Sequence, residues 1–217
     1  MVSVDLFLCE PALVGDGWWA CLDEGERARA ARFKFPADRL AYIAAHGLLR
    51  HALSRRDPSR EPAAWRFSTG ANGKPHLEGS RLRFNLSHCR ELVAVAIAED
   101  VEVGVDVEPI DPRHATDDVA QRVYGPNELL DLARAAQPVD RFFERWTLKE
   151  SWVKATGIGI SDDLPGFELR IEPGRAFVER GDPRPWQFHW WTPRPLVKLA
   201  VCVGTAQPLD VRPSTWA

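Results

Sequence analysis

The chain of 217 residues has only four cysteines, Cys9, Cys21, Cys89 and Cys202, and no Cys-x-x-Cys pair. That spacing gives no support to a structural zinc site or a dithiol redox motif. Scattered thiols suit a reducing compartment. Residues 1–11 have no basic stretch ahead of their apolar positions and do not read as an export signal, so the expected location is the cytoplasm. Long hydrophobic runs are missing too. The longest, residues 92–98, falls far short of the roughly 20 residues that span a bilayer, and no membrane partner is expected. There is no basic excess: 28 Lys and Arg face 31 Asp and Glu, for a net charge of −3. A dominant nucleic-acid footprint is therefore not expected.

What remains is an ordinary globular composition, 45% hydrophobic and 27% charged, in a length that suits one domain or two small ones. Residues 2–8 alternate as a half-buried strand does. Asp23 and Glu26 form a capping-box pattern that predicts a helix to Arg32 or Phe33. Pro36 opens a second helix with apolar positions Leu40, Ile43, Ala44, Leu48 and Ala52, and residues 55–61 read as a loop. Turn chemistry at 71–75 precedes strands at 82–86, 92–98 and 101–107. A helical pattern over 117–136 breaks at Gly125-Pro126, and a strong helix over 139–156 stops at Gly157. Strands are expected at 167–171, 176–179, 186–191 and 197–203, with the Trp- and Pro-rich stretch near 186–195 read as sheet packing. Residues 93–97 resemble 199–203, and residues 46–50 sit over 150–154. Both offsets are near half the chain, which predicts two similar α+β halves with a site at their junction.

Five groups carry potential chemistry. Asp106 and Glu108 fall on one face of a strand, where two carboxylates repel unless a cation such as Mg²⁺ lies between them. The plain alternative is a solvated strand end. On the long helix Glu150 and Lys154 are i,i+4 neighbours, able to meet a metal-bound diphosphate or simply to form an exposed ion pair. Lys149 lies off that face and reads as a solvated charge, whereas Trp146 and Trp152 read as core or cleft wall. Ser87 and His88 follow an apolar strand and, with loop amides, would suit a phosphate. Gly73-Lys74-Pro75 offers a cation on a loop, and Arg27, Arg29, Arg32, Lys34 and Arg39 read as a basic helix face.

Gly104-Val105-Asp106-Val107-Glu108, followed by the run from Trp146 to Lys154, resembles the paired signature of the Sfp-type 4′-phosphopantetheinyl transferases. Residues 72–75, 85–88 and 33–39 fit the same family in the same order, so that the likeness spans about residues 30–160. The resemblance implies an α+β pseudo-dimer of two halves, residues 1–105 and 106–217, each a small, mainly antiparallel sheet packed on helices. Coenzyme A and Mg²⁺ would lie in the cleft between them. It implies transfer of the phosphopantetheine arm to a serine of an apo acyl or peptidyl carrier protein, in fatty-acid, polyketide or nonribosomal peptide synthesis, with release of 3′,5′-ADP. Asp106, Glu108 and Glu150 would be metal ligands, and Lys154 would touch the diphosphate. Ser87, His88, Lys74 with Pro75, and one or more of Arg32 and Arg39 would hold the cofactor and its 3′-phosphate. Glu128 resembles a further family glutamate. Glu150, directly or through a water, or else Lys154, would take the serine proton. A monomer is expected. A Mg²⁺-dependent phosphohydrolase of a nucleotide diphosphate and a non-catalytic CoA-binding module are the competing readings.

Overall fold

The computed structural model describes residues 1–70, 72–159 and 164–216. Strand β1 (Val2–Cys9) is followed by three helices, α1 (Asp16–Cys21), α2 (Glu24–Ala31) and α3 (Pro36–Arg56). The expected capping box opens α2: Glu26 N–H donates to Asp23 Oδ1 at 2.8 Å, and Asp23 N–H to Glu26 Oε2 at 3.0 Å. Pro36 sits in the first turn of α3, where a missing N–H costs nothing. Ala44, Ala45, Leu48, Leu49, Ala52 and Leu53 form its buried stripe. The helix runs on through Arg56, into part of the expected loop, and ends at Asp57.

A hairpin of β2 (Ser68–Thr69) and β3 (Pro75–His76) turns at Gly73, whose φ of +83° suits glycine. Ala71, the first residue of the expected turn, lies outside the described residues. Then come β4 (Leu82–His88), β5 (Val93–Glu99) and β6 (Val103–Pro109). Helices α4 (Asp117–Val123), α5 (Pro126–Arg134) and α6 (Pro138–Thr156) follow, the last ending at Gly157 in the left-handed region. The chain closes with β7 (Glu168–Glu172), β8 (Arg175–Arg180), β9 (Trp186–Arg194), β10 (Val197–Gly204) and β11 (Leu209–Thr215). The short helix α1 and strand β11 were not anticipated from sequence.

Two sheets carry the fold, ordered β11-β1-β5-β4 and β6-β10-β9. All pairings are antiparallel except β1 with β11. The path strand, long helix, strand, strand occurs twice, as β1-α3-β4-β5 and β6-α6-β9-β10. The half-length offsets fall on equivalent elements, α3 with α6 and β5 with β10. The cut expected between residues 105 and 106 falls inside β6, and β11 returns from the second repeat to the first sheet. Helix α3 covers one face of the first sheet and α6 covers one face of the second. The remaining two faces meet in an apolar layer that includes Val4, Leu6, Ala94, Ala96, Leu199 and Val201. Strand β5 is therefore buried on both faces, which explains why its sequence is continuously apolar rather than alternating. Among the described residues no helix is long and apolar enough to cross a membrane.

Candidate active site

Strand alternation builds the site. On β6, Val103, Val105 and Val107 are buried in the layer between the sheets. Gly104, Asp106 and Glu108 must then face the other way, towards α6. Gly104 is where helix and strand backbones cross. A Cβ built there would lie 2.0 Å from the Ser151 carbonyl oxygen and 2.3 Å from the Ala155 nitrogen. Glycine permits this approach, and the approach lays Trp146, Glu150 and Lys154, four residues apart along α6, over the two acids. Together with Leu86, Ser87 and His88 they line a cavity of about 300 Å³. A wider groove of about 790 Å³ shares His88 and Glu108 and opens past Asp38, Arg90, Arg113 and Leu196.

Strand β4 meets β6 through side chains instead of a backbone ladder. Asn85 Oδ1 accepts the Val105 N–H at 2.9 Å, and Ser87 Oγ accepts the Val107 N–H at 3.2 Å. Ser87 Oγ donates in turn to Asp106 Oδ1 at 3.0 Å. Lys154 Nζ donates to Asp106 Oδ1 at 2.6 Å and to Ser87 Oγ at 2.9 Å. Asp106 is 1% exposed, and its Oδ2 is buried with no hydrogen-bond partner among the described residues. Burial and the neighbouring acids Asp106 and Glu150 push Glu108 up to about 7, against the pull of Lys154 and the Trp146 indole. Burial and Asp106 raise Glu150 to about 7, again against Lys154. The site thus holds more negative charge than its one ammonium balances. Among the described residues no three His, Cys, Asp or Glu side chains stand together at metal-ligand spacing, and the ammonium of Lys154 lies on Asp106.

His88 closes the other end. Burial pushes its pKa down to about 4, helped by the positive charges of His46, Lys154 and Arg29 and opposed by Asp38. Tyr42 meets its ring edge-on with centroids 6.3 Å apart, and the Arg29 guanidinium lies 5.8 Å from the centre of the Tyr42 ring.

Asp106, Glu108, Glu150, Lys154, Ser87 and His88 are thus brought together, with several departures from expectation. Ser87 and His88 lie on β4 itself rather than on a loop, because strand pairing with β5 continues through His88. The Ser87 hydroxyl hydrogen is already used on Asp106. Lys154 pairs with Asp106 rather than with Glu150, because β6 brings a buried carboxylate against the helix. Lys74 Nζ is held by Glu102 at 2.8 Å, by the Ala155 carbonyl at 2.6 Å and by the Val103 carbonyl at 3.4 Å. Lys74 and Pro75 line a different cavity, beside Thr156 and Gly157. Arg32 and Arg39 are exposed, and Arg39 covers Trp19, so Arg29 is the arginine that approaches His88.

Glu128 is corrected from a site residue to a core acid. It is fully buried, accepts the Gly125 and Leu169 N–H groups at 3.0 Å each, and pairs with Lys149 at 2.7 Å and Arg145 at 3.4 Å. Lys149 is likewise no solvated charge: it is 1% exposed, because its position on α6 faces α5 and Phe167 rather than water. Sequence reasoning missed Gly104 as a packing requirement, Asn85, Tyr42 and His46. The available signal was the polar stripe Asp38, Tyr42, His46, spaced four apart on an otherwise apolar helix.

Known proteins share this sequence. A family described as the 4′-phosphopantetheinyl transferase superfamily matches residues 102–202, and one described as 4′-phosphopantetheinyl transferase, N-terminal, matches residues 16–100. The 4′-phosphopantetheinyl transferase HetI of Nostoc sp. is 36% identical over 71% of this chain and 67% of its own length. A 4′-phosphopantetheinyl transferase of Bacillus pumilus is 33% identical over 82% of this chain and 76% of its own length. The crystal structure of holo-[acyl-carrier-protein] synthase from Neisseria meningitidis is 20% identical with a TM-score of 0.43, covering 48% of this chain and 97% of that one.

Proposed function

Because the chain belongs to the 4′-phosphopantetheinyl transferase family, we propose that it moves the 4′-phosphopantetheine group of coenzyme A to a serine of an apo acyl or peptidyl carrier protein, with Mg²⁺, and releases 3′,5′-ADP. The observation that carries this reading is the set Asp106, Glu108 and Glu150, drawn to one cavity by the crossing of β6 and α6 beside Lys154 and His88. The partnerless Asp106 Oδ2 and the two raised glutamates are hard oxygen donors lacking positive charge, so the residues present fit Mg²⁺. Asp106, Glu108 and Glu150 would hold it, and when bound it would neutralise the diphosphate oxygens and the charge that develops on the leaving group.

The remaining steps are the chain's own. Lys154, one turn beyond Glu150, can shift from Asp106 to a diphosphate oxygen over a short distance, since its ammonium already lies in the cavity. His88 and Arg29 would take the 3′-phosphate. The serine oxygen attacks the phosphorus that bears pantetheine, an O–P bond forms, and the P–O bond to 3′,5′-ADP breaks. Glu150, raised to about 7, suits the role of base for the serine proton. The wider groove that ends on His88 and Glu108 gives the carrier access. The same reading divides the chain into residues 1–105 and 106–217 around the cleft, with action as a monomer, since one chain supplies every named residue. It also places the protein in the cytoplasm, in keeping with four free thiols.

The test is intact-protein mass spectrometry of an apo carrier incubated with the protein, CoA and Mg²⁺. One added phosphopantetheine, lost on chelation and in Asp106→Ala, is expected. Unmodified carriers with CoA hydrolysed would turn the reading to a phosphohydrolase. Undiminished transfer by Asp106→Ala would sink the metal assignment.

A further inference from the structure

On α3, Asp38, Tyr42 and His46 share one face, and the two ends of that face are tied down differently. Asp38 is bonded to Arg90 at 2.5 and 3.0 Å. His46 Nδ1 donates to Glu26 Oε1 at 2.9 Å. Glu26 is itself fixed by the Asp23 N–H at 3.0 Å and by Arg50 Nε at 2.9 Å. The imidazole therefore has one nitrogen committed. Its Nε2 has no partner among the described residues, and the side chain is 22% exposed. The ring stacks on Tyr42 with centroids 4.1 Å apart, and Tyr42 in turn meets His88. Arg29 covers the same tyrosine.

One aromatic ring is thus surrounded by Arg29 from α2, His46 from α3 and His88 from β4, with Lys154 of α6 beyond His88. The carboxylates that face this group are already engaged: Asp38 by Arg90, and Glu26 and Asp23 by Arg50. The positive charge of His46 weighs on His88 more than that of Lys154 or Arg29 does, which shows how near the two rings are. An arrangement of donors with no free counter-charge is a seat for a small dianion.

We propose that His46 is a second histidine of the phosphate pocket: anchored on Glu26 through Nδ1, it turns Nε2–H to the monoester phosphate on the ribose of CoA and helps select CoA over dephospho-CoA. The inference rests on the transferase reading above. His46 is a binding residue in it, and Glu26 is a positioning residue that acts through the ring.

The experiment is calorimetric titration of the full-length protein with CoA and with dephospho-CoA, without carrier. His46→Gln is expected to weaken CoA about ten-fold or more, the worth of one charge-assisted hydrogen bond, while dephospho-CoA changes less than about two-fold. His46→Lys, which keeps a cation beside Glu26, is expected to recover most of the loss, and His88→Ala serves as the benchmark. Dephospho-CoA binding doubles as the check that each variant is folded. Equal weakening of both ligands would assign His46 a packing role and overturn the proposal. So would a CoA preference that survives intact in His46→Gln. A wild-type protein that binds neither ligand would overturn the transferase reading, and this inference with it.

Discussion

Gly104→Ala is the smallest change that pries α6 from β6. The added methyl would stand 2.0 Å from the Ser151 oxygen and 2.3 Å from the Ala155 nitrogen, both backbone atoms with no rotamer to turn away. Ordinary contact begins near 3.4 Å, so 3.4 − 2.0, or about 1.4 Å, of separation has to open. Over-packing costs about 1–3 kcal/mol, and backbone on both sides argues for about 3 kcal/mol. In a chain of this size that lowers the melting temperature by about 6–12 °C. The same displacement carries Glu150 and Lys154 off Asp106, breaking the 2.6 Å contact of Lys154. A misplacement of roughly 1 Å costs on the order of 100-fold in rate. Circular-dichroism melting measures the first effect. The rate of phosphopantetheine addition, at a temperature where the variant is fully folded, measures the second. Gly17→Ala on α1, whose Cβ would meet nothing within 4 Å, is the control and should change neither. Wild-type melting and rate in Gly104→Ala would refute the packing argument. A lower melting temperature with an unchanged rate would show that the seat of α6 does not place the reacting groups.

Glu128→Ala leaves the ammonium of Lys149 and the Arg145 guanidinium buried without their carboxylate, and should cost about 3–5 kcal/mol in urea unfolding. Glu128→Ala with Lys149→Met should recover part of that loss, and a single-variant cost below about 1 kcal/mol would contradict the buried pairing. Burial pushes Glu26 up, but the hydrogen bonds of His46 and the Asp23 N–H and the charges of His46 and Arg50 outweigh it, leaving its carboxyl below the ordinary value. A depressed folded-state value stabilises the protein above the unfolded carboxylate range and loses that contribution as pH falls through it. Between about pH 5 and pH 3 the wild type should therefore lose more stability than Glu26→Gln. Parallel stability curves for the two proteins would count against that network.

Period and punctuation alone determined a good deal of this protein. The capping box of α2, the proline that opens α3, the glycine that ends α6 and the strands of both repeats are local matters, decided by neighbours within a few residues. The two repeats themselves could be seen from offsets of half a chain. So could the acids Asp106, Glu108 and Glu150, since strand and helix spacings fix which residues share a face. Tertiary structure decided the partners. Lys149 and Lys154 are five residues apart on one helix and look alike in sequence, yet one is sealed against Glu128 and the other opens on Asp106. Which face of α6 meets the core and which meets β6 depends on strands that are distant along the chain. Lys74 reads as a free loop cation, but the fold closes it onto the end of α6. The basic run of α2 and α3 holds several equivalent arginines by composition, and only the packing of α2 on Tyr42 singles out Arg29. Strand β11 pairs in parallel with β1, about 200 residues away along the chain. No local pattern encodes that choice, because an edge strand is completed by whatever the folded sheet leaves unpaired.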